Sequence, residues 1–483
     1  MLTLGHVLEA LTGYQSGGGA QIITDVVMDS RLAIPGALFV ALPGERTDGH
    51  LYVPAAFAKG ASAALVQRDV DSLHRPDEAP PSCQWLDLRE PVTYAQLAGL
   101  ELPLCLRVDD TLKALQTLAG FWRSRLHPRV IGVTGSVGKT TTKELIAAVL
   151  STRYRTFKSE GNYNNEISLP LMLLKLTEAH ERAVLEMGFY QPGEIKFLAD
   201  LAQPHVGVVT NVYAIHLERA GSLEAIARGK AELVEALPAA PDGVAILNAD
   251  DPLVLAMRDR TRARVFTYGL EPTADVWADN IESVGLSGVD FHLHYRHEVL
   301  HVRVPLLGRH SVHTALRAAA VGLVDGLTWQ EIVEGLQTVG PTQLRLMAVT
   351  GPEGSVLLDD TYNSSPESVI AALNLLNELE GRRVAVLGDM LELGRNEEMA
   401  HRLVGRRVRD VAQLLVTVGP LARIIAEEAR EAGLPPEAVV ELEDSQAALT
   451  FLRDNIRRGD VVLLKGSRGV HMEWLVPALE VRE

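Results

Sequence analysis

Short apolar segments alternate with amphipathic segments along most of the chain, and this alternation predicts its architecture. From Val130 onward, strand-like runs rich in β-branched residues are separated by runs whose apolar positions have helical spacing. The strand-like runs are RVIGVTG, AVLEMG, VGVVTNV, GVAILNAD and RVFTYGL, and the helical runs include GEIKFLADLA and SLEAIARGKAELVEAL. Strands that alternate with helices are typical of a parallel, doubly wound sheet.

Two changes of pattern divide the chain. Residues 274–305 alternate apolar and polar side chains, which predicts antiparallel strands, and two helical runs follow. After Gly340-Pro341 the strand and helix rhythm restarts with SVLLDD, RRVAVLGDM, LLVTVG, VVELED and DVVLLKGS. We therefore predict an α/β protein of three domains. They are a small mixed α/β N-terminal domain at 1–106, a central doubly wound domain at 107–340 and a Rossmann-like C-terminal domain at 341–483.

The first hundred residues predict short mixed elements. VVMDSR and ALFVALPGERTDGH precede an alanine-rich run, VPAAFAKGASAALV, which predicts a helix. The Pro-rich DEAPPSC and the run up to Leu106 predict loop and edge structure. By contrast, VDDTLKALQTLAGFWRSRL places apolar residues at helical spacing after Asp109 and Asp110, which predicts a capped helix.

Composition narrows the class of protein. The 483 residues are 47% hydrophobic and 22% charged, which is typical of a globular protein of roughly three domains. The formal net charge of -16 contains no long Lys/Arg block, so we expect neither a nucleic-acid nor a membrane partner. Two cysteines and the lack of a signal-like or membrane-spanning run predict a cytoplasmic protein. An anionic substrate would need local cations.

The segment IGVTGSVGKTTTKELI carries the first chemical signal. A standard phosphate loop reads Gly-x4-Gly-Lys-Ser/Thr, but here Val133 stands five residues before Gly138, so the motif is a variant. Gly135 and Gly138 still allow backbone N–H groups to face a phosphate, Lys139 brings a positive charge and Thr140 offers a hydroxyl to Mg²⁺. The alternative is a glycine-rich turn with an exposed lysine. The flanking strand and helix favour a P-loop-type ATPase domain.

Further segments resemble one family. These are TGSVGKTTTKE, EGNYNNEISLP, LEMG, TNVYAIHLERAGSLEAIARGKAEL, LNADDP and DDTYNSSPES, and they are similar to the Mur ligases of peptidoglycan synthesis and their folylpolyglutamate synthase relatives. VVMDSRLAIPGALFVALPGERTDGH, TYNSSP and LGDMLELG most resemble the family member that joins UDP-N-acetylmuramoyl-tripeptide to D-alanyl-D-alanine. The resemblance implies an amide ligase that activates a carboxylate as an acyl phosphate and converts ATP to ADP and phosphate.

The resemblance also implies a nucleotide and metal site. The implied ATP-binding residues are Gly135, Ser136, Val137, Gly138, Lys139, Thr140, Thr141, Asn165, Thr314, Arg345 and Asp360. The implied Mg²⁺ ligands are Thr140, Glu186, His216 and Lys230, the last as a carbamate formed with CO₂. The implied catalytic residues are Lys139, Lys230, His216 and Glu166. Glu186 ends the strand-like run AVLEMG, where ligand sites of open α/β sheets gather, and the alternative for it is a solvent-facing strand end. From the pattern alone, His216 would be a structural histidine and Lys230 a solvated helix cation.

Two segments depart from the family pattern. In EGNYNNEISLP, which the family places against the phosphates and the reacting carboxylate, Ser168 stands where relatives usually carry glycine, and simple turn chemistry around Asn164 is the alternative. In GRHSVHTAL, Ser311 and Thr314 replace the usual asparagines, while His310 is retained. A hydroxyl lacks the paired donor and acceptor of an amide, so we expect an altered adenine contact.

The resemblance also assigns residues of the first and third domains to the UDP substrate, to ATP and to the dipeptide. Ser30, Arg31 and Arg46 would contact the UDP part, and the alternative is a surface turn. In the third domain, Asp360 would meet the ATP ribose and Arg345 the phosphates. Lys465 in LLKGSRG would line the D-alanyl-D-alanine side.

Two alternatives stay open. A Mur ligase that adds the third peptide residue usually has Asp-[Asp/Asn]-Pro-Arg for diaminopimelate, but here Asp250-Asp251-Pro252 is followed by Leu253. Folylpolyglutamate synthase is not one of these alternatives, because it would not account for the first domain, which contains MDSR and GERTDGH. A catalytically silent nucleotide-binding paralogue would be favoured by loss of the residues proposed for catalysis, which are present. We expect a monomer.

Overall fold

The computed structural model describes residues 1–14, 21–44, 47–69, 83–215, 217–338 and 346–481. These residues fall into two compact units. The first comprises residues 1–130, 155–187 and 197–204, and the second comprises residues 131–154, 188–196 and 205–483, each apart from the gaps just given. In the part of the chain described, no helix has the length and apolar character needed to cross a membrane.

The strands belong to three sheets. In chain order they are β1 Val26–Val27, β2 Leu38–Val40, β3 Ala63–Val66, β4 Gln84–Asp87, β5 Leu104–Arg107, β6 Arg129–Thr134, β7 Thr156–Lys158, β8 Arg182–Glu186, β9 Val206–Val209, β10 Val244–Asn248, β11 Arg264–Gly269, β12 Val276–Ser283, β13 Val289–Tyr295, β14 Glu298–Val304, β15 Met347–Thr350, β16 Val356–Asp360, β17 Arg382–Gly388, β18 Leu414–Val418, β19 Val439–Leu442 and β20 Asp460–Lys465.

The α-helices connect these strands. In chain order they are α1 Leu4–Thr12, α2 Val53–Ala58, α3 Tyr94–Ala98, α4 Thr111–Ser124, α5 Lys139–Ser151, α6 Ser168–Leu174, α7 Glu194–Ala202, α8 Leu217–Ala220, α9 Leu223–Glu235, α10 Pro252–Leu255, α11 Val312–Val324, α12 Trp329–Gln337, α13 Pro366–Glu378, α14 Glu397–Val411, α15 Ala422–Glu431, α16 Ser445–Asn455 and α17 Leu475–Leu479.

The N-terminal sheet has five parallel strands in the order β1-β2-β3-β5-β4. It corrects two predictions. The alanine-rich run is not one helix, because α2 ends at Ala58, Gly60 adopts a left-handed φ of 91°, and residues 63–66 continue as the buried strand β3. The run up to Leu106 is not only loop and edge, because it contains β4, α3 and β5.

The central sheet has nine strands in the order β14-β13-β12-β11-β10-β9-β6-β8-β7. The pairs β6–β9, β9–β10, β10–β11 and β11–β12 are parallel, whereas β12–β13 and β13–β14 are antiparallel. This confirms the predicted doubly wound pattern and the antiparallel strands after residue 274. The helix predicted after Asp109 and Asp110 is α4, and the Asp110 carboxylate accepts the N–H of Lys113 at 2.9 Å.

The C-terminal sheet has six strands in the order β15-β16-β20-β17-β18-β19. All its pairs are parallel except β15–β16. Successive residues of β17 point to opposite faces, so that Val384 and Val386 pack in one hydrophobic cluster and Ala385 and Leu387 in another. The predicted Rossmann-like rhythm is confirmed, and β15 is an addition that the sequence pattern did not predict.

Helix α5, which follows the glycine-rich loop, packs against α11 and α12. The α12 contact is a close backbone approach, since a Cβ on Gly335 would lie 2.4 Å from the Cα of Val149 in α5. Only glycine fits at this point without separating the helices. The glycine-rich loop is therefore built on a tightly held helix.

Gly335→Ala tests this contact. Although alanine is the better helix former, we expect the clash to lower the free energy of unfolding by about 1–3 kcal/mol. Glu334→Ala is the matched control, because Glu334 is exposed on the same helix, and it should change that free energy by less than about 0.5 kcal/mol. Urea unfolding of both variants measures the difference, and equal midpoints would contradict close packing.

Candidate active site

The loop between β6 and α5 has the conformation of a phosphate cradle. Gly135 and Gly138 have φ angles of 142° and 83°, which L-residues rarely adopt. A Cβ on Gly135 would lie 1.8 Å from Oγ1 of Thr210, so a side chain there has no room. Gly138 is the N-cap of α5, and the first N–H groups of a helix have no acceptor within that helix. The residues present therefore fit the phosphates of a nucleotide.

The segment after β9 holds this loop in place. The carboxamide of Asn211 accepts the N–H of Val137 at 2.8 Å and donates to its carbonyl at 3.1 Å. The carbonyl of Asn211 accepts the N–H of Ser136 at 3.0 Å. The hydroxyl of Thr210 donates to the Val137 carbonyl at 2.8 Å. The side chains of Thr210 and Asn211 and one backbone hydrogen bond thus hold the loop against the segment after β9.

These bonds refine the predicted ATP site. The N–H groups of Ser136 and Val137 donate to Asn211, so in this structure they maintain the loop, and their contact with ATP stays a prediction. Sequence reasoning did not single out Thr210 and Asn211. The signal was present, because a Thr-Asn pair ends the strand-like run VGVV, and β9 neighbours β6 in the sheet.

The side chain of Lys139 lies across its own loop. Its Nζ donates to the carbonyls of Gly135 at 2.9 Å and Ser136 at 3.2 Å. Thr140 and Thr141 follow in the first turn of α5 and are half-buried. Lys139 thus brings its charge to the predicted phosphate position, and an exposed lysine on a plain turn is not what the structure shows.

Lys230 in α9 is buried, with 1% of its surface exposed. Its Nζ lies 4.8 Å from the centroid of the Phe189 ring, and no carboxylate among the described residues forms an ion pair with it. Burial lowers the pKa of this amine well below its usual value, and the positive charge of Lys139 lowers it further. The alternative of a solvated helix cation is therefore wrong. Both effects favour the neutral amine, whose lone pair is nucleophilic.

Glu186 ends β8 and is fully buried, so the solvent-facing alternative is wrong as well. Its Oε1 accepts a hydrogen bond from Nδ2 of Asn164 at 2.8 Å, and its backbone N–H donates to the hydroxyl of Ser159 at 3.1 Å. A buried carboxylate held by an amide is a suitable hard oxygen ligand for Mg²⁺.

The predicted Asn165–Ser168 turn is closed by side chains. Oδ1 of Asn165 accepts the N–H of Ser168 at 2.9 Å and its hydroxyl at 2.7 Å. Ser168 begins α6 and does not have a positive φ, so serine fits there as well as glycine would. Glu166 is exposed, and its carbonyl accepts Nε2 of Gln116 at 2.9 Å.

Asp360 and Lys465 lie together at the carboxyl edge of the C-terminal sheet. They are register partners on β16 and β20, and Nζ of Lys465 lies 2.5 Å from Oδ2 of Asp360. Nζ also donates to the Asn363 carbonyl at 2.9 Å, and Lys465 is 2% exposed. The prediction places Asp360 at the ribose and Lys465 at the dipeptide, and it does not include their ion pair.

Ser311 and Thr314 are both buried at the start of α11. The Ser311 hydroxyl donates to the carbonyl of Leu307 at 2.7 Å, whereas the Thr314 hydroxyl lies 3.4 Å from Nη1 of Arg317. Both hydroxyls therefore already have protein partners. His310, just before them, is exposed.

Ser30 and Arg31 form a short turn in the N-terminal unit. Ser30 is buried, while the Arg31 side chain is 86% exposed and lies 2.7 Å from Oδ2 of Asp29. Hydrogen bonds from Arg31 lower the pKa of Asp29 below its usual value. An exposed, oriented guanidinium at this turn is suited to an anionic group.

Three predicted residues, Arg46, His216 and Arg345, lie outside the described residues. Within the described ranges, no three His, Cys, Asp or Glu side chains are grouped as a ready metal site. The predicted Mg²⁺ ligand set therefore stays a prediction. Mg²⁺ often uses only one or two protein carboxylates together with phosphate oxygens and water.

Comparison with known proteins identifies the family. Models of the Mur ligase family, catalytic domain, of the Mur ligase middle domain and of the Mur ligase, glutamate ligase domain match residues 22–97, 133–322 and 344–468. The UDP-N-acetylmuramoyl-tripeptide--D-alanyl-D-alanine ligase of Bacillus subtilis is 37% identical over 95% of this chain and 93% of its own. The chain belongs to the Mur ligase family. The resemblance inferred from the motifs is confirmed.

Solved structures have the same architecture as this Mur ligase. MurF from Acinetobacter baumannii matches with a TM-score of 0.80 and 31% identity over 97% of this chain and 96% of that one. MurF ligase from Thermotoga maritima in complex with ADP matches with a TM-score of 0.74 and 25% identity over 97% of both chains. The three-domain α/β fold predicted from the sequence is confirmed.

Asn211→Ala tests whether the β9 segment sets the phosphate loop. Removing the carboxamide leaves the polar groups of Val137 without their partners, so we expect ADP affinity to fall about 10- to 100-fold. Isothermal titration calorimetry measures it, with Asn374→Ala on the exposed face of α13 as the control. Unchanged ADP affinity in Asn211→Ala would show that the loop keeps its shape without this clamp.

Proposed function

We propose that this Mur ligase joins the free carboxylate of UDP-N-acetylmuramoyl-tripeptide to the amine of D-alanyl-D-alanine in peptidoglycan precursor synthesis. The observation that carries the proposal is the end-to-end similarity to relatives with that name, which reaches 37% identity over 95% of this chain. The match includes residues 22–97, where Ser30 and Arg31 lie. We place the reaction in the cytoplasm and propose that the enzyme acts as a monomer.

ATP solves the chemical problem of this reaction, because a free carboxylate has no leaving group. A carboxylate oxygen attacks the γ-phosphorus, the bond to ADP breaks, and an acyl phosphate forms. The amine of the dipeptide then attacks the acyl carbon, phosphate leaves with its electron pair, and the nitrogen loses a proton. Such a transfer gathers negative charge, so it depends on fixed cations. Lys139 supplies one such cation on the described phosphate loop, and the N-terminus of α5 adds partial positive charge.

Lys230 is proposed to carry a carbamate. A neutral Nζ adds to CO₂ to form an N–C bond and releases one proton, which converts a neutral amine into an anion. Burial and the low pKa of Lys230 support this step, because an ammonium group has no lone pair for it. The nearby charge of Lys139 favours the anionic product. With Thr140, Glu186 and His216, the carbamate would hold Mg²⁺, which supplies charge neutralisation at the phosphates.

The remaining assignments complete the proposal. Asn165 and Glu166 would face ATP and the reacting carboxylate, Arg345 the phosphates and Asp360 the ribose. Lys465 would meet the dipeptide, and Arg46 would join Ser30 and Arg31 at the UDP part. The UDP substrate would bind the domain at 1–106, and ATP would bind the domain at 107–340. The domain at 341–483 would bind the dipeptide and also contact ATP.

The alternatives have less support. A ligase for the third peptide residue is disfavoured by Leu253 after Asp250-Asp251-Pro252 and by the names of the relatives. A folylpolyglutamate synthase from Mycobacterium tuberculosis shares the fold, with a TM-score of 0.60 over 77% of this chain, but only 17% identity. A silent paralogue would not need a buried lysine of lowered pKa beside a phosphate loop.

ADP release by the purified enzyme tests the reaction. We expect turnover only when UDP-N-acetylmuramoyl-tripeptide, D-alanyl-D-alanine and Mg-ATP are all present, because the acyl phosphate needs both its carboxylate and its amine. The control offers UDP-N-acetylmuramoyl-dipeptide with single diamino acids. Turnover with that pair alone would assign the preceding addition, and no turnover with either would favour the silent paralogue.

Lys230→Ala tests the carbamate. We expect loss of at least about 100-fold in kcat, since a Mg²⁺ ligand is removed, with partial rescue by short carboxylic acids that replace the missing anion. Lys196→Ala, on the exposed face of α7, should keep the full rate. Removal of CO₂ from the buffer should slow the wild-type enzyme. Wild-type activity in Lys230→Ala, unaffected by added carboxylic acids, would rule the carbamate out.

A further inference from the structure

A second buried cation lies beside the phosphate loop. Arg317 in α11 is 4% exposed. Its Nε donates to the hydroxyl of Tyr268 at 2.8 Å, and its Nη1 donates to Thr142 Oγ1 at 2.7 Å and lies 3.4 Å from Thr314 Oγ1. All three acceptors are neutral hydroxyls. No carboxylate in the described ranges forms an ion pair with this guanidinium.

The guanidinium of Arg317 lies close to the start of α5, at the proposed phosphate site. Nη1 of Arg317 lies 3.4 Å from the point that a Cβ on Gly138 would occupy, and Gly138 is the N-cap of α5. Thr142, which accepts from the same Nη1, lies in the first turns of α5. A helix N-terminus already carries partial positive charge, and Lys139 adds a full one. Three sources of positive potential therefore meet at the same loop.

The groups around Arg317 do not neutralise it. Burial raises the pKa of Tyr268 to about 12, so its hydroxyl is uncharged near neutral pH. The Tyr268 hydroxyl lies 3.0 Å from the Thr210 carbonyl, to which it donates. Asp250 pairs with His313 at 2.7 Å, and Asp251 accepts the N–H of Val212 at 2.8 Å. A buried cation without a counter-charge is costly unless an anion reaches it.

We propose that Arg317 is a nucleotide-binding residue whose charge stabilises the phosphates of bound ATP and ADP from the α11 side of the loop. Hydrogen bonds to Tyr268, Thr142 and Thr314 fix the plane of the guanidinium. The Arg317 side chain therefore loses little conformational entropy when the phosphates bind. The inference rests on the proposed use of ATP and deepens it. Arg317 would thus add a positive charge from α11 to a phosphate site that is otherwise formed by the loop and α5.

The test compares charge removal with charge retention. Arg317→Met keeps the length and apolar stem but removes the charge, and Arg317→Lys keeps a charge. Arg309→Met is the control, because Arg309 is exposed at the start of the same segment. Calorimetry measures dissociation constants for ADP, AMP and adenosine, and a thermal scan measures the melting temperature without ligand.

We expect Arg317→Met to weaken ADP binding about tenfold or more, since a hydrogen bond or contact with a charged group is lost. Adenosine, which has no phosphate, should bind within about twofold of wild type, and Arg317→Lys should recover part of the ADP affinity. The ligand-free melting temperature should stay equal or rise, because the variant removes an unpaired buried charge. The control should match wild type throughout.

Two results would overturn the inference. One is an equal loss of ADP and adenosine affinity in Arg317→Met, which would mean that the side chain only supports the fold of the site. The other is unchanged ADP affinity, with or without a lower melting temperature. These readouts need no acyl substrate, so a protein that binds ADP through Arg317 but does not use D-alanyl-D-alanine would overturn only the proposed ligation. Failure of the wild type to bind ADP would overturn both.

Discussion

The close contact between the phosphate loop and the end of β9 is the constraint on which the site depends. Gly135 passes so near Thr210 that no side chain fits between them, and the Asn211 carboxamide takes up both the N–H and the carbonyl of Val137. These contacts within the protein hold the loop in its shape. A site that is already organised loses less entropy when the nucleotide binds, and its donors are in place before charge develops.

Beside this rigid loop the protein buries two basic side chains, Lys230 and Arg317, and no carboxylate of the described region forms an ion pair with either. Burial lowers the pKa of Lys230, which favours its neutral amine. Arg317 is a guanidinium and keeps its charge, so it is held by neutral hydroxyls instead. One fold thus uses two responses to the same desolvation. The charge of Arg317 suits a reaction that brings triphosphate and carboxylate together, whereas an uncharged amine at Lys230 suits the proposed carbamate.

Much of the fold was predictable because parallel strands buried on both faces read as continuous β-branched runs, as in β9 and β10. The N-terminal domain was predicted less well, since an alanine-rich run is compatible with both α2 and β3 until Gly60 breaks it. Glycine spacing identified the phosphate loop. Burial of Lys230 and Glu186 could not be read from their neighbours, and the Asp360–Lys465 ion pair joins residues far apart in the chain.

The place of β20 in the C-terminal sheet has a consequence for the synthesis of the protein. It is the last of the six strands in chain order, yet it lies between β16 and β17. Until it emerges from a ribosome, the two halves of this sheet each present an unpaired edge at what becomes the centre of the domain. Such edges are templates for wrong pairing with other chains. The nascent domain therefore stays open to aggregation until its last strand closes the sheet from within.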